Sequence, residues 1–346
     1  MKRIAYIEID THAEIAQAFM DIMEDNQHFA VDYYFSKRIK DQIGKHGETV
    51  YLSDSSMILD QLKTKGYELV IIGTVHRYFN TFLAVTEKYN TAVITHNLNF
   101  TKASKQDLMK SILKEDVIYR LKLWWKEGLF YSSEVYQKAK HLLVLDEALA
   151  SEKYRFFPLF YTRNFDKAKN ENWSVVIPGG VSQKRRDYNT IFKTIQHLQT
   201  DKNWEFIFLG KAQGNELKAL KKLSADVPGN VHITFFSERV SSEDFEKWMQ
   251  KADVLWCPIQ QETTFFSLKE RYGITKMTGN LGDAINYGKW AVFPKNYPSK
   301  LEFILPEKEN FLEQCNDLPE VDFDFQKTYG KGGVQKKVEK LLNNLI

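Results

Sequence analysis

Tyr67-Glu68-Leu69-Val70-Ile71-Ile72-Gly73 is a short, nearly continuous apolar run closed by glycine. After it, Phe79 to Tyr89 carries apolar residues at helical spacing, and Thr91-Ala92-Val93-Ile94-Thr95 is apolar again. A strand with one wet face alternates, whereas a strand covered on both faces does not, and a helix separating two such strands is a crossover between parallel neighbours. The fold therefore reads as a parallel sheet with helices on both faces. Working outward, Arg3 to Ile9 and Val31 to Phe35 are further strands flanking a helix over Glu14 to Glu24, and His141 to Leu145 is the last strand of this half. The plan restarts after the polar stretch Phe165 to Asn172, which has the composition of a linker. Strands follow at Trp173 to Ile177, Trp204 to Leu209, His232 to Phe236, Ala252 to Cys257 and Trp290 to Phe293, with helices at about Tyr188 to Gln199 and Ser242 to Gln250, the second capped by Ser241 or Ser242.

The chain is predicted to be α/β, with two Rossmann-like doubly wound domains facing a cleft. These are an amino-terminal domain over 1–165, a second domain over 166–325, and a last helix within 326–346 that packs back on the first domain. A length of 346 residues suits two such domains. Apolar residues make up 43% and charged residues 27%, which excludes extended disorder. A net charge of +3, from 48 basic and 45 acidic residues, gives no footprint for nucleic acid. Cys257 and Cys315 have neither metal-ligand spacing nor a disulfide framework, which fits a reducing cytoplasm. No apolar run reaches the length of a membrane span, and the start Met1 to Asp10 is broken by Glu8 and Asp10.

The stretch richest in chemistry is Lys276-Met277-Thr278-Gly279-Asn280-Leu281-Gly282-Asp283-Ala284-Ile285-Asn286-Tyr287-Gly288. Thr278 and Gly279 precede a helix that Gly288 ends. Free amides at that helix start, with Lys276 just ahead, meet the needs of a diphosphate, and Asp283 one turn inside suits a ribose hydroxyl. A turn, helix and strand with a glycine stop is also common as plain structure.

This passage resembles the donor domain of GT-B glycosyltransferases, in particular the family 4-like retaining group, in which an acidic residue precedes Ala-x-x-x-Gly-Lys-Pro and a buried strand. Asp283-Ala284-Ile285-Asn286-Tyr287-Gly288-Lys289-Trp290 occupies that pattern, with Asp283 where the family usually has Glu and Trp290 in place of Pro. Upstream, Val175-Val176-Ile177-Pro178-Gly179-Gly180-Val181-Ser182-Gln183-Lys184-Arg185-Arg186 resembles the family's strand, glycine turn and basic residue. Glu205 to Gly210 and Ala252 to Pro258 resemble its next elements in order. Thr275 stands where the family's first Glu would contact the transferred sugar.

The resemblance implies a transferase that moves a sugar from a nucleotide-diphosphate sugar to a glycan or lipid-linked acceptor, retaining and without metal. No further cofactor is implied. Gly179, Gly180, Arg186, Lys276, Thr278, Gly279, Asn280 and Asp283 are expected to bind the donor, with Lys184 and Arg185 also neutralising the diphosphate. Tyr272 and Phe266 either stack on a nucleobase or pack. From the first domain, Asp10 and His12 follow strand 1 and His96 follows the strand ending at Thr95. His12 is a base for an inverting reaction with Asp10 orienting it, while His96 holds the sugar in a retaining one; each histidine also reads as a cap or turn residue. Glu8 reads as a structural residue or a sheet-edge contact. Asp322-Phe323-Asp324 alone does not make a metal site, and no metal is assigned.

Residues 101–141 carry nine bases against five acids, interleaved with Leu121, Leu123, Trp124, Trp125, Leu129, Phe130 and Tyr131. That mix suits peripheral membrane contact, at the inner face of the membrane, or an amphipathic helix over the first domain's core. Two rival functions are a nucleotide-sugar epimerase of the same architecture and a non-catalytic nucleotide-sugar-binding protein.

Overall fold

Ile4-Ala5-Tyr6-Ile7 offers no polar face, and β1 (Lys2–Glu8) accordingly lies inside a sheet, paired in parallel with β2 (Phe29–Phe35) and β4 (Leu69–Ile72). The computed structural model describes residues 1–44, 47–112, 114, 116–163, 172–318 and 323–346. The linker stretch up to residue 171, and Asp322 of the Asp-x-Asp pair, lie outside these.

Close contacts divide the chain into two compact units. Unit 1 is Met1–Phe160 with Thr264–Met277 and Lys331–Ile346; unit 2 is Tyr161–Thr263 with Thr278–Gly330. The unit 1 sheet is completed by β3 (Val50–Leu52), β5 (Thr91–Ile94), β6 (His141–Val144) and β7 (Tyr154–Phe156), in the order β3-β2-β1-β4-β5-β6-β7. Its helices are α1 (Ala13–Met23), α2 (Lys37–Ile43), α3 (Ile58–Lys63), α4 (Phe79–Lys88), α5 (Lys105–Ile112), α6 (Val117–Glu127) and α7 (Ser132–Lys138).

Unit 2 repeats the plan with β8 (Trp173–Pro178), β9 (Trp204–Lys211), β10 (Val231–Phe236) and β11 (Val254–Trp256). A two-stranded hairpin, β12 (Glu262–Phe265) and β13 (Leu268–Arg271), comes next in the chain, before β14 (Trp290–Phe293) and β15 (Ile304–Pro306). The second sheet runs β10-β9-β8-β11-β14-β15. Its helices are α8 (Tyr188–Gln196), α9 (Gly214–Asp226), α10 (Ser242–Lys251), α11 (Gly279–Tyr287), α12 (Phe311–Asn316) and α13 (Phe325–Tyr329). Its core is aromatic: Trp204, Trp256, Phe206 and Phe208 are fully buried, and Trp256 stacks on Phe311 with ring centroids 3.8 Å apart. Ser241 is the residue that caps α10, accepting from the Asp244 amide at 3.0 Å. In each sheet the strand order reverses beside the first strand, between β1 and β4 and between β8 and β11. The carboxyl ends there are where open α/β sheets leave a crevice.

Against a second domain spanning 166–325, unit 2 begins earlier, at Tyr161, runs on to Gly330, and loses one internal segment. Thr264–Met277 joins unit 1, because Phe266 stacks on Phe100 at 5.2 Å and the buried Glu270 accepts the Asn99 and Phe100 amides at 3.3 and 3.0 Å. Phe266 and Ser267 turn the hairpin with positive φ, 48° and 60°. The Phe266 ring is thus a packing element of unit 1. The last helix, α14 (Lys331–Leu345), is also part of unit 1. It buries Val334, Val338, Leu342 and Leu345 along one stripe, and Gln335 donates to the Ile22 carbonyl of α1 at 2.9 Å. Its final carbonyl, of Leu345, accepts from Asn90 at 2.8 Å and His141 at 3.0 Å. No helix among the described residues is long and apolar enough to cross a membrane.

Leu342 is fully buried, so Leu342→Ala is expected to destabilise unit 1 by about 2–5 kcal/mol. Urea denaturation followed by hydrogen exchange of α1 and β1 checks this; protection of the unit 2 strands should be unchanged.

Candidate functional site

In unit 2 the chain leaves β8 through Pro178 into Gly179, whose φ of +101° is open to glycine and strained for other residues. A Cβ at Gly179 would collide with the Arg186 guanidinium, and one at Gly210 would collide with the Gly179 backbone. The two glycines therefore let the turn lie flat while Arg186 closes over it. Arg186 Nη1 donates to the Gly180 carbonyl and Nη2 to Asn280 Oδ1, both at 3.3 Å. Its Nε is buried without a hydrogen-bond partner, and among the described residues no carboxylate lies within ion-pair distance of it.

Asn280 is the hub of this arrangement. It is 2% exposed, and its amide donates to the Pro178 carbonyl and to Asp283 Oδ2, each at 3.2 Å. Thr278 caps α11 by accepting the Asn280 amide at 3.4 Å, and Gly288, at φ 58°, ends the helix. Nothing lies within 4 Å of where a Cβ on Gly180 or Gly279 would stand, so both glycines border open space. Lys184 and Arg185 are exposed, and of the three adjacent bases Arg186 is the one turned into the glycine turn. Asp187 instead caps α8 through Thr190. Burial pushes the Cys257 thiol, at the end of β11, well above its ordinary range, and the nearby Asp283 adds to this.

In unit 1 the corresponding strand ends carry a second cluster. Glu8, 1% exposed, accepts the Asp10 and Thr11 amides at 3.1 and 3.2 Å and the Thr74 hydroxyl at 2.7 Å. It closes β1 in the middle of the sheet, not at an edge. Burial pushes its carboxyl up to about 8, against the pull of those donors and of His12. Gly73 permits this packing, since a Cβ there would stand 2.6 Å from Glu8 Oε2.

His12, at φ 61°, opens α1 and donates through Nδ1 to Glu14 at 2.8 Å. Burial lowers its pKa, but Glu14 and Glu8 outweigh that and the net shift is upward. His12 stacks on His96 at 4.1 Å, and His76 meets both edge-on. Burial and the neighbouring cations hold His76 and His96 well below the ordinary range. His96 Nε2 donates to the Gly73 carbonyl at 2.9 Å, and Asn97 donates to His76 at 3.3 Å. Asn97 Oδ1 accepts the Lys276 ammonium, which places Lys276 in this cluster of unit 1. Asp10 is nearly buried; burial raises its pKa and Arg77, itself paired with Glu127, draws it down.

Asp10, His12, His96 and Lys276 are thus gathered at one set of strand ends, and Gly179, Gly180, Arg186, Thr278, Gly279, Asn280 and Asp283 at another. His76, Thr74 and the coordinating part played by Asn280 escape sequence reasoning. His76 follows β4 as His96 follows β5, and that parallel position is the signal that finds it. Among the described residues no group of three or more His, Cys, Asp or Glu side chains is placed to hold a metal ion.

No family model and no curated protein matches the chain. Solved structures do match over its whole length. Anabaena Alr3699/HepE, solved in complex with UDP, is 11% identical with a TM-score of 0.62, covering 99% of this chain and 100% of its own. The fold is GT-B. UDP-GlcNAc 2-epimerase from Neisseria meningitidis, bound to UDP-GlcNAc, is 13% identical with a TM-score of 0.57 and covers 99% and 100%. An alpha-glucosyltransferase in complex with UDP is 11% identical with a TM-score of 0.53 and covers 98% and 95%. At such identities the GT-B likeness extends to the arrangement of strands and helices.

Glu8 binds its proton more tightly folded than unfolded, so its contribution favours the native state at low pH and is lost as pH rises from about 4.5 through about 8. Glu8→Gln keeps the shape and removes that titration. The variant is expected to gain stability relative to the parent by a few kcal/mol at pH 8.5 over pH 5, measured by urea denaturation at both values.

Proposed function

We propose that this GT-B chain is a glycosyltransferase, of the family 4-like kind, that moves a sugar from a nucleotide-diphosphate sugar to a glycan or lipid-linked acceptor. The observation that carries the proposal is Arg186: a guanidinium locked over a glycine turn, with neutral acceptors alone among the described residues, in the same unit as the start of α11, where Gly279 borders open space. Such a cation keeps its charge for an anion, and its planar donors suit phosphate oxygens. Structures of this fold hold UDP or UDP-GlcNAc, which supports the same ligand class here.

Gly180 and Gly279, which border open space, then face the diphosphate, with Gly179, Thr278 and Asn280 holding the turn and the helix start in place, and Asp283, held by Asn280, takes a ribose hydroxyl. Lys184, Arg185 and Lys276 are the further cations of this reading. As the bond from the anomeric carbon to the diphosphate oxygen breaks, Arg186 and the amides stabilise the charge that leaves. The acceptor oxygen forms the new bond. In retaining transfer the departing phosphate takes the acceptor's proton; in an inverting one His12, backed by Asp10, takes it, with His96 on the sugar. The charge is met by protein groups, so the reaction needs no metal. A lipid-linked acceptor goes with peripheral membrane contact through 101–141, on the cytoplasmic side.

An epimerase is the second reading, favoured by the full-length likeness to the Neisseria enzyme and by Glu8, Asp10 and Glu270, buried carboxyls in unit 1 suited to proton transfer. A non-catalytic nucleotide-sugar binder is the third. Calorimetric titration with UDP and a panel of UDP- and GDP-sugars tests the common ground. Arg186→Ala and Asn280→Ala are expected to weaken binding about tenfold or more, and Lys184→Ala less than threefold. Absence of binding by the parent overturns all three. Conversion of a bound nucleotide sugar with no acceptor present selects the epimerase.

A further inference from the structure

We propose that the outward face of α6 seats on an anionic lipid surface. The helix is built the reverse of an ordinary surface helix. Its charged side chains Arg120 and Glu127 point inward and are satisfied there, Arg120 by Ser267 at 2.7 Å and the Ser111 carbonyl, Glu127 by Arg77. Most of what it shows to solvent is apolar: Ile118 is 87% and Trp125 86% exposed, with Leu121 between them at 41%. These three stand at i, i+3 and i+7 and form one stripe. Val117 and Trp124 widen it, and Met109 of α5 is exposed at 57%.

The exposed charges within α6 itself are Lys122 and Lys126, with Lys110 and Lys114 on the preceding segment. Long lysine stems reach past an apolar layer to phosphate oxygens, and a tryptophan rests where hydrocarbon meets headgroup. The described carboxylates nearby are engaged or at the margin: Glu134 with Lys105 at 3.3 Å, Asp107 with Ser104 at 2.6 Å, and Asp116 ahead of the helix. Trp124, Trp125, Phe130 and Tyr131 also line an open depression of about 420 Å³ with Lys105 among its walls, room for a headgroup. Apolar stripe and cations together select anionic lipid over neutral lipid.

The inference rests on the lipid-linked form of the proposed acceptor for its biological setting, but vesicle binding needs no nucleotide sugar and is measured without one. The full chain is expected to sediment with vesicles of phosphatidylcholine and phosphatidylglycerol about tenfold more strongly than with phosphatidylcholine alone, less so at high salt, with a blue shift of tryptophan emission. Ile118→Ser combined with Trp125→Ser, and separately Lys122→Gln combined with Lys126→Gln, should each abolish most of this and leave the thermal unfolding profile unchanged. Binding retained by both pairs overturns the proposal, as does a folded parent that ignores anionic vesicles. So does a parent dimer that the Ile118→Ser, Trp125→Ser pair turns into monomer, which assigns the face to a second copy. Loss of nucleotide binding with vesicle binding intact would count against the donor reading alone.

Discussion

The contact of Arg186 with the Gly179–Gly180 turn organises the carboxyl end of the unit 2 sheet. A guanidinium and a main-chain turn occupy the same few ångströms only because Gly179 has no Cβ, and Gly179 reaches that position only because Gly210 has none either. Asn280 completes the arrangement by accepting from Arg186 while donating to Pro178 and Asp283, so one buried amide fixes the cation, the strand end and the start of α11. The Asn280 side chain has partners on both its oxygen and its nitrogen, while the Arg186 Nε is left without one.

Unit 1 solves a related problem with a buried carboxyl. Glu8 ends β1 in the centre of the sheet, where water is excluded, and three donors converge on it. Gly73 makes space for it as Gly179 makes space for Arg186. The histidines beside it share one low-dielectric environment, so the charge on His12 disfavours charge on His76 and His96. The opposed shifts, upward for His12 and downward for His76 and His96, both arise in that one environment.

The long buried strands were legible because burial on both faces leaves a continuous apolar signature: Ile4 to Ile7, Leu69 to Ile72 and Val175 to Ile177 show it. Three of the four edge strands of the two main sheets, Val50–Leu52, Tyr154–Phe156 and Ile304–Pro306, are three residues each, too short for any period to register. Gly288 and Thr278 were legible as helix stop and cap from local chemistry. The course of Thr264–Met277 was not, since Phe265 and Glu270 choose their partners in β5's following loop, some 170 positions away in sequence.

By itself the sequence determined the two-fold α/β plan, the glycine turn after β8 and the cap of α11, because strand burial and helix capping are settled within a few neighbouring residues. Only the tertiary structure decided which of Lys184, Arg185 and Arg186 turns inward, that Lys276 belongs with Asn97, and that His12, His76 and His96 form one cluster. Those outcomes depend on side chains from distant strands meeting at one sheet end, and local sequence carries no record of that distance.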